Sequence, residues 1–437
     1  MWAVIVYSWW FVKDRQPLWF AVDGALVLLG FFVAFRREDL LGFRSLGENR
    51  RLKLVLITLF STFCVWACQR IIRDWNMVAL DESHYLLTLR EKAIITDGLL
   101  PFNVRWLVPF LAGPLNILPV ADAAAIKAIN FGAFVVTGVG LILLFVRLRV
   151  PLWMALAAPV FLLGSYLGIY GSHNRLVLDP SNYAFYVLMF HCLLRRAHWP
   201  FFAIVLFVDA LNAEKAVYWL PVFVFVELLR EPWSKANVRE VAKLSLFALG
   251  PSILYMGGLW LSLTSSRLEA NLCFENLHLM SFSNLGGVIT PNVDQNNFQT
   301  LWMPFGGFSL FALLGFALDD RRELKPIGLL LIPIFIQAVI ACDTDRMLAY
   351  SFIVYIPFGY LYLERAMREM PRAVWVPAFV ALVTVVLAVH FYLPAIDKWG
   401  YRPYFNLEVT KMTLSALQIA VVAGIVFVHF TLFRRRE

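Results

Sequence analysis

The sequence predicts an all-α polytopic membrane protein with about 11–13 transmembrane helices. Of its 437 residues, 60% are hydrophobic and only 16% are charged, and the mean hydropathy is +0.70. Soluble domains carry about 25% charged residues. The apolar residues form runs of about 20, the length that crosses a bilayer core. We therefore expect residues 1–437 to form a single transmembrane domain.

The apolar runs set the expected helices. On the length rule they are 17–35, 52–72, 122–147, 151–170, 182–196, 241–263, 301–318, 326–342, 347–363, 373–393 and 410–432. The run 199–229 is too long for one helix and has Asp209, Glu214 and Lys215 in its middle. Ionisable groups at this depth cost about 2.5–3.5 kcal/mol each. We therefore expect two short helices that meet at a polar apex.

Clusters of Lys and Arg fall in alternate loops, and this pattern predicts the orientation. The basic loops, which include 230–243 and the terminal Arg434–Arg436, are expected in the cytoplasm, so the C-terminus is cytoplasmic. The longer loops 73–121 and 264–300 then face outward, towards the periplasm or exterior of a bacterial inner membrane. Topology and lipid contacts explain the net charge of +8, so no nucleic-acid partner is expected. The five cysteines have no metal-site spacing.

The stretch Leu80–Pro109 is the most polar long segment of the first half of the chain. Asp81, Tyr85 and Leu89 are spaced four residues apart, which places them on one stripe of a helix. We predict an amphipathic helix on the outer surface after the second span. A carboxylate at this edge of the membrane would stay ionised and could abstract a proton from a hydroxyl or an amine. The alternative is that these charges form a solvated helix face with no catalytic role.

The same stretch carries a family resemblance. Asp81-Glu82-x-x-Tyr85-x-x-x-x-Arg90-Glu91, followed by Asp97-Gly98 and Pro101, resembles the first outer loop of GT-C glycosyltransferases. The protein O-mannosyltransferases and lipid A aminoarabinose transferases are the nearest in pattern. The resemblance implies a GT-C-like fold, an outer catalytic loop at 73–121, Asp81 as catalytic carboxylate and Glu82 as its support. The chain departs from the family in its extra helix at 17–35 and in lacking a large soluble C-terminal domain.

Three further polar clusters lie on the expected outer side, and each allows a structural reading beside the functional one. Arg175 offers a planar fork for phosphate, Asp179 is either a helix cap or a site residue, and His173 is a loop residue or a base. Glu214 and Lys215 either pair structurally or meet a lipid phosphate. Asp343, Asp345 and Arg346 form a hydrated helix cap or a diphosphate site. The loop 264–300 is expected to order on substrate binding.

These expectations combine into a function. The predicted enzyme transfers a sugar, with inversion, from a polyprenyl-phosphate donor to a lipid, glycan or protein acceptor on the outer face. Its donor and phosphate contacts would be Tyr85, Arg105, Arg175, Lys215 and Arg346. No cofactor is expected, a divalent cation between Asp343 and Asp345 being the alternative. The rival functions are a transporter or flippase built on the broken 199–229 pair, and an enzyme like O-antigen polymerases or ligases. Membrane lipids are the other expected partners.

Overall fold

The computed structural model describes residues 43–72, 80–91, 105, 107–117, 121–263, 305, 308–340, 348–391 and 407–433. Every regular element in these residues is helical. The α-helices, numbered in chain order, are α1 (Arg50–Ile71), α2 (Leu80–Glu91), α3 (Leu107–Ala112), α4 (Asp122–Arg147), α5 (Leu152–Ala155), α6 (Ala158–Gly164), α7 (Tyr166–His173), α8 (Asp179–Leu193), α9 (Trp199–Asn212), α10 (Trp219–Leu229), α11 (Lys235–Leu263), α12 (Phe308–Leu318), α13 (Leu331–Ile340), α14 (Phe352–Glu369), α15 (Arg372–Phe391) and α16 (Leu407–Val428). Tighter 3₁₀ segments include Glu214–Tyr218 and Arg322–Leu330, and α16 continues into a π-helical turn, His429–Phe433.

Four helical stretches in the described part of the chain are long and apolar enough to cross a membrane. They are Arg50–Arg70, Asp122–Arg147, Lys235–Gly258 and Ala416–Phe433. Three shorter apolar stretches, Leu152–Gly164, Phe308–Leu318 and Arg372–Thr384, accompany them. The all-helical class is therefore confirmed, and the apolar helices are consistent with a membrane protein. The total of 11–13 spans stays a prediction, and the predicted helix 17–35 lies outside the described residues.

The predicted single helix over 151–170 is wrong, because the chain breaks there into α5, α6 and α7. Pro159 lies in the first turn of α6, and the Ser165 hydroxyl donates to the carbonyl oxygen of Leu162 where α6 ends. A side chain on Gly168 would overlap the backbone of Leu163, so α6 and α7 approach each other too closely for any other residue. Hydropathy is continuous across this stretch and does not report the breaks.

The predicted pair of short helices over 199–229 is confirmed. Helices α9 and α10 are joined by the 3₁₀ turn Glu214–Tyr218, which contains Lys215. Phe202 near the start of α9 stacks on Phe223 of α10 at a ring-centroid distance of 4.7 Å, so the chain returns alongside itself. With a rise of 1.5 Å per residue, the 14 residues of α9 extend only about 21 Å, less than the core of about 30 Å. The polar turn is therefore embedded in the bundle.

Contacts between helix termini show which termini lie together at each end of the bundle. We call the end that holds Ile72, Arg175, Asp179 and Lys215 the apex end. At the other end, here the basic end, Arg147 donates to the carbonyl oxygen of His191 at 3.0 Å. Arg230 donates there to the carbonyl of Leu193, and Arg196 forms ion pairs with Glu227 and Glu231. This division agrees with the alternation of basic and polar loops that the sequence predicts.

Helices α12 and α14 cross in close contact. A Cβ atom built on Gly315 would overlap the backbone carbonyl of Phe358, and one built on Gly359 would overlap the ring of Phe308. Two glycines on opposite helices thus allow direct backbone approach, as is common between helices in membranes. This crossing fixes α14, whose N-terminal side leads to Tyr350 at the apex end.

Candidate functional site

A buried polar cluster joins three helix ends at the apex end, and we call it the apex network: Asp179, Asn182, Asn212, Lys215 and Tyr350. The side chains of Asp179 and Lys215 are each only 2% exposed, and the Lys215 Nζ lies 3.3 Å from the Asp179 Oδ1. The Tyr350 hydroxyl donates to the same carboxylate oxygen. The Lys215 ammonium also lies 4.0 Å from the centroid of the Tyr350 ring, within cation–π range.

Local sequence explains how the carboxylate reaches this position. Asp179 and Pro180 form the first turn of α8, where proline costs no hydrogen bond and an acidic group is favoured by the helix dipole. The residue in the N-cap position is Leu178, and Asp179 follows it as the first residue of the helix. The interpretation of Asp179 as the N-cap residue is therefore wrong. Its carboxylate instead contacts groups from two distant parts of the chain.

The amide side chains extend the network. Asn182 donates to the Tyr350 hydroxyl oxygen at 2.9 Å, and Asn212 donates to the side-chain oxygen of Asn182. The Tyr186 hydroxyl donates to the backbone carbonyl of Lys215 at 3.0 Å. Both the ammonium and the backbone of the 3₁₀ turn are thus held by α8. A carboxylate, an ammonium and a phenol in contact can hold an anion or pass a proton, because few other polar groups compete in a low-dielectric interior.

The helix of the predicted catalytic loop packs at the same end. In α2, Tyr85, Leu86 and Leu89 are buried, whereas Leu87 and Arg90 are exposed. The helix is therefore confirmed, but its sequence is only weakly amphipathic, since the apolar Leu87 is exposed and the polar Thr88 is buried. Arg105 is 7% exposed and donates to the Tyr85 hydroxyl at 3.3 Å, so these two predicted site residues are in contact.

The buried face of α2 reaches the segment that leads into the apex network. Tyr85 and Leu89 belong to one apolar cluster with Ile126, Leu176 and Leu178. Leu178 directly precedes Asp179. The predicted catalytic helix therefore shares an apolar cluster with the chain immediately before the buried carboxylate.

Arg175 is bound by backbone carbonyl groups. Its guanidinium donates to the carbonyls of Ser172 at 3.0 Å and Ile72 at 3.1 Å, and also to that of Gln69. These carbonyls lie at the ends of α7 and α1, where helices leave acceptors without intrahelical partners. Arg175 therefore joins two helix ends in this structure. His173 is half-buried as the last residue of α7, outside the apex network.

Several predicted site residues are described only in part. Asp81 and Glu82 lie in the first turn of α2 and Glu214 begins the 3₁₀ turn, but their side chains fall outside the described residues. Asp343, Asp345 and Arg346 fall outside them altogether, as does the predicted substrate loop 264–300. Among the residues that are described, no group of three His, Cys, Asp or Glu side chains is placed to hold a metal ion.

Tyr350 and Tyr186 were not predicted as site residues. Both are uncharged and lie in apolar runs, where an aromatic residue is normally part of the core. One signal in the sequence pointed to Tyr350, because it follows the polar cluster Asp343–Arg346 by only four residues. The charges of Asp179 and Lys215 predicted that each needs a partner, but they did not identify it.

Comparison with protein-family models, curated proteins and solved structures gives no significant match. The similarity of the Asp81–Pro101 stretch to GT-C enzymes therefore stays a prediction.

Proposed function

We propose that this protein is a membrane glycosyltransferase that uses a polyprenyl-phosphate-linked sugar. The acceptor hydroxyl or amine would lose its proton to Asp81 and attack the anomeric carbon of the donor. The bond between that carbon and the phosphate oxygen would break with inversion, and the lipid phosphate would leave. A GT-C-like fold and an outer, extracytoplasmic location belong to the same proposal.

One observation carries the proposal. The buried face of α2, the helix with the Asp-Glu pair, belongs to the same apolar cluster as Leu176 and Leu178, which closely precede Asp179 of the buried Asp179–Lys215 pair. A carboxylate for acceptor activation and a cation for the leaving phosphate are the two requirements of this reaction. Arg105 donates to the Tyr85 hydroxyl of the helix that carries the Asp-Glu pair, so the segments that would supply the carboxylate and the cation are in contact.

The observed contacts change the roles that we propose for the basic residues. Arg175 is bound by three carbonyl groups and Lys215 by a carboxylate, so we propose that they position the helix ends around the site. Arg105, which contacts Tyr85, and Arg346 remain the residues that we propose as ligands of the phosphate. Glu82 supports Asp81 in this proposal, and no metal takes part.

The test compares Asp81→Asn with Glu82→Gln in the purified, reconstituted protein supplied with polyprenyl-phosphate sugars. Loss of a general base typically lowers the rate by about 10²–10⁴-fold, so Asp81→Asn is expected to abolish most transfer. Glu82→Gln is expected to retain more activity. Transfer at the parental rate by the Asp81→Asn protein would refute the assignment of the base.

A transporter or flippase is the second candidate, and one observation favours it. A buried ion pair lies where α9 and α10 are interrupted, and discontinuous helices hold the substrates of many transporters. Vesicles that contain the protein distinguish the two functions. Movement of a lipid-linked sugar across the bilayer without formation of a glycosidic product would favour transport over transfer.

A further inference from the structure

Three cations at the start of α11 lie on one face of the helix at the basic end, and we call Lys235, Arg239 and Lys243 the cationic stripe. They are spaced four residues apart, and the side chains of all three are exposed. Asn237 and Val241 lie two positions from these cations, about 200° around the helix, and are only 3% and 2% exposed. The cationic stripe therefore points away from the bundle.

The cationic stripe differs from other basic residues of this end because it has no internal partner. Arg147 donates to a backbone carbonyl, and Arg196 forms ion pairs with Glu231 and, at 3.7 Å, with Glu240. Arg196 thus holds the two acids that lie next to the stripe in sequence. None of the three stripe cations forms an ion pair within the described part of the chain. Their positive charge is therefore available to an anion outside the protein.

The stability of α11 does not explain why it starts with cations. The positive end of the helix dipole favours acidic residues in the first turn and disfavours basic ones. Helix α11 nevertheless begins with Lys235 and has no acidic residue in its first turn. An anion bound to the cationic stripe would remove this conflict, because its charge would lie close to both the cations and the positive end of the dipole.

The residues that follow the cationic stripe on the same face indicate where the anion comes from. Leu246 and Ile253 follow Arg239 at intervals of seven residues and are 64% and 49% exposed. This part of α11 is long and apolar enough to cross a membrane. Trp233, which is 76% exposed, precedes the stripe in the position of an interfacial anchor. An anion that is joined to a hydrocarbon chain therefore matches the whole face, whereas a free anion matches only its charged part.

We propose that the cationic stripe binds the headgroup phosphate of anionic glycerophospholipids in the leaflet at the basic end. The Arg239 guanidinium and the two lysine ammonium groups contact the phosphate, and the acyl chain lies along Leu246 and Ile253. The stripe extends about 12 Å along the helix, and its long side chains reach the headgroups from the edge of the hydrocarbon. A zwitterionic lipid carries the same phosphate but no net charge, so the stripe favours anionic lipids.

The test places a fluorescent probe beside the stripe in the full-length protein. In a variant without native cysteines, Ala242→Cys gives an exposed attachment point for bimane next to Lys243. The protein is reconstituted in phosphatidylcholine nanodiscs that contain a small, equal fraction of phosphatidylglycerol or phosphatidylcholine with a nitroxide quencher near the top of one acyl chain. The ratio of quenching by the two lipids measures the preference for the anionic headgroup. Three cations near an anionic headgroup are expected to give a preference of about tenfold to a hundredfold at low salt.

Two triple variants separate the stripe from the overall charge. The stripe variant, Lys235→Gln with Arg239→Gln and Lys243→Gln, is expected to abolish the preference, and it breaks no ion pair among the described residues. The control variant lowers the net charge by the same amount at three exposed arginines of other elements, which likewise form no ion pair in the described part of the chain: Arg149→Gln, Arg322→Gln and Arg372→Gln. The control variant is expected to keep the preference.

Salt and phosphate provide a second measurement on the protein with an intact stripe. At about 1 M salt the Debye length falls to about 3 Å, so most of the preference is expected to be lost. Inorganic phosphate at constant ionic strength is expected to leave the preference unchanged, and displacement of the labelled lipid by phosphate would assign the stripe to a soluble anion. Equal quenching by the two lipids at low salt, or a preference that survives in the stripe variant or is lost in the control variant, would also overturn the proposal. If the stripe variant does not fold, the salt and phosphate measurements decide by themselves.

Discussion

Lys215 is fully buried, although lysine is normally a surface residue. It lies in an apolar run, and yet its ammonium is held by a carboxylate and by the face of an aromatic ring. Removing both charges of a buried pair together is often tolerated, whereas removing one leaves an uncompensated charge. Asp179 is thus important because it supplies a countercharge to the buried Lys215.

We predict that Asp179→Asn lowers the free energy of unfolding by about 3–5 kcal/mol, because it removes the negative charge of a buried ion pair. Tyr350→Phe, which removes one hydrogen bond to the same carboxylate, is expected to cost about 1 kcal/mol. Steric trapping in bicelles measures both values.

The matched control is the surface ion pair Arg90–Asp122, with a distance of 2.8 Å and an Arg90 side chain that is 64% exposed. Arg90→Ala is expected to change stability by less than about 1 kcal/mol. The double variant Asp179→Asn, Lys215→Met is expected to recover most of the loss. A double variant as unstable as Asp179→Asn would mean that the pair is not coupled as described.

Among the helices, prediction succeeded where one physical signal dominated. Helix α4 has the predicted bounds 122–147, because an apolar run of suitable length ends there at charged residues. The interruption between α9 and α10 was predicted from the cost of burying Glu214 and Lys215. The break at Ser165 was not, because it brings Gly168 close to the backbone of Leu163, a contact that hydropathy does not report.

The candidate site could likewise be predicted only in part from the sequence. A charge inside an apolar run identified Lys215, the polar cluster between two apolar runs identified Asp179, and the Asp-Glu pair identified α2. How these residues are arranged in space could not be predicted from the sequence, since Tyr350, which contacts Asp179, lies 171 residues after it in the chain. Which residue pairs with a buried charge depends on how the helices pack.

The crossing of α12 and α14 is a direct test of such packing. Gly315→Ala is expected to destabilise the protein by about 1–3 kcal/mol, because the methyl group would overlap the carbonyl of Phe358. Thermal unfolding in detergent measures the change. Gly424→Ala, which changes a helical glycine with open space around it, is expected to have no destabilising effect. Equal losses in the two variants would contradict the crossing.

For the whole molecule, the two ends of the bundle predict a labelling pattern. Single cysteines at Ala197 and Ser234, both exposed at the basic end, are expected to react with a membrane-impermeant maleimide from the same side of the bilayer. A cysteine at the exposed Ser83 of α2 is expected to react from the opposite side. The background is a variant without the native cysteines. Reaction of Ala197→Cys and Ser83→Cys from one side would overturn the predicted topology.

The last helix is tied to α14 near the basic end, and this contact predicts a pH dependence. The His429 Nε2 lies 2.8 Å from the Glu369 Oε2, and Arg365 lies 3.2 Å from the other oxygen. Partial burial raises the pKa of Glu369, but the hydrogen bond with His429 and the charges of His429 and Arg365 outweigh it. The pKa of Glu369 is therefore below its usual range in the folded protein.

A carboxyl group with a lowered pKa stabilises the fold above its unfolded pKa of about 4.3. This contribution is lost as the pH falls through the lower folded value. We expect the melting temperature to decline below about pH 4 and to decline less steeply in Glu369→Gln. Melting curves at a series of pH values check this. Parallel declines in the two proteins would show that Glu369 does not contribute.

The late position of Tyr350 in the chain has a consequence for biogenesis. Helices α9 and α10 are each too short to cross a bilayer core of about 30 Å alone, so they must enter the membrane together as a hairpin with Lys215 at its tip. Asp179 is already present when the hairpin leaves the ribosome, but Tyr350 is not. The hairpin must therefore wait, incompletely satisfied, while more than a hundred further residues are translated. Chains that stall or are truncated before α14 would expose this defect to the quality-control machinery of the membrane.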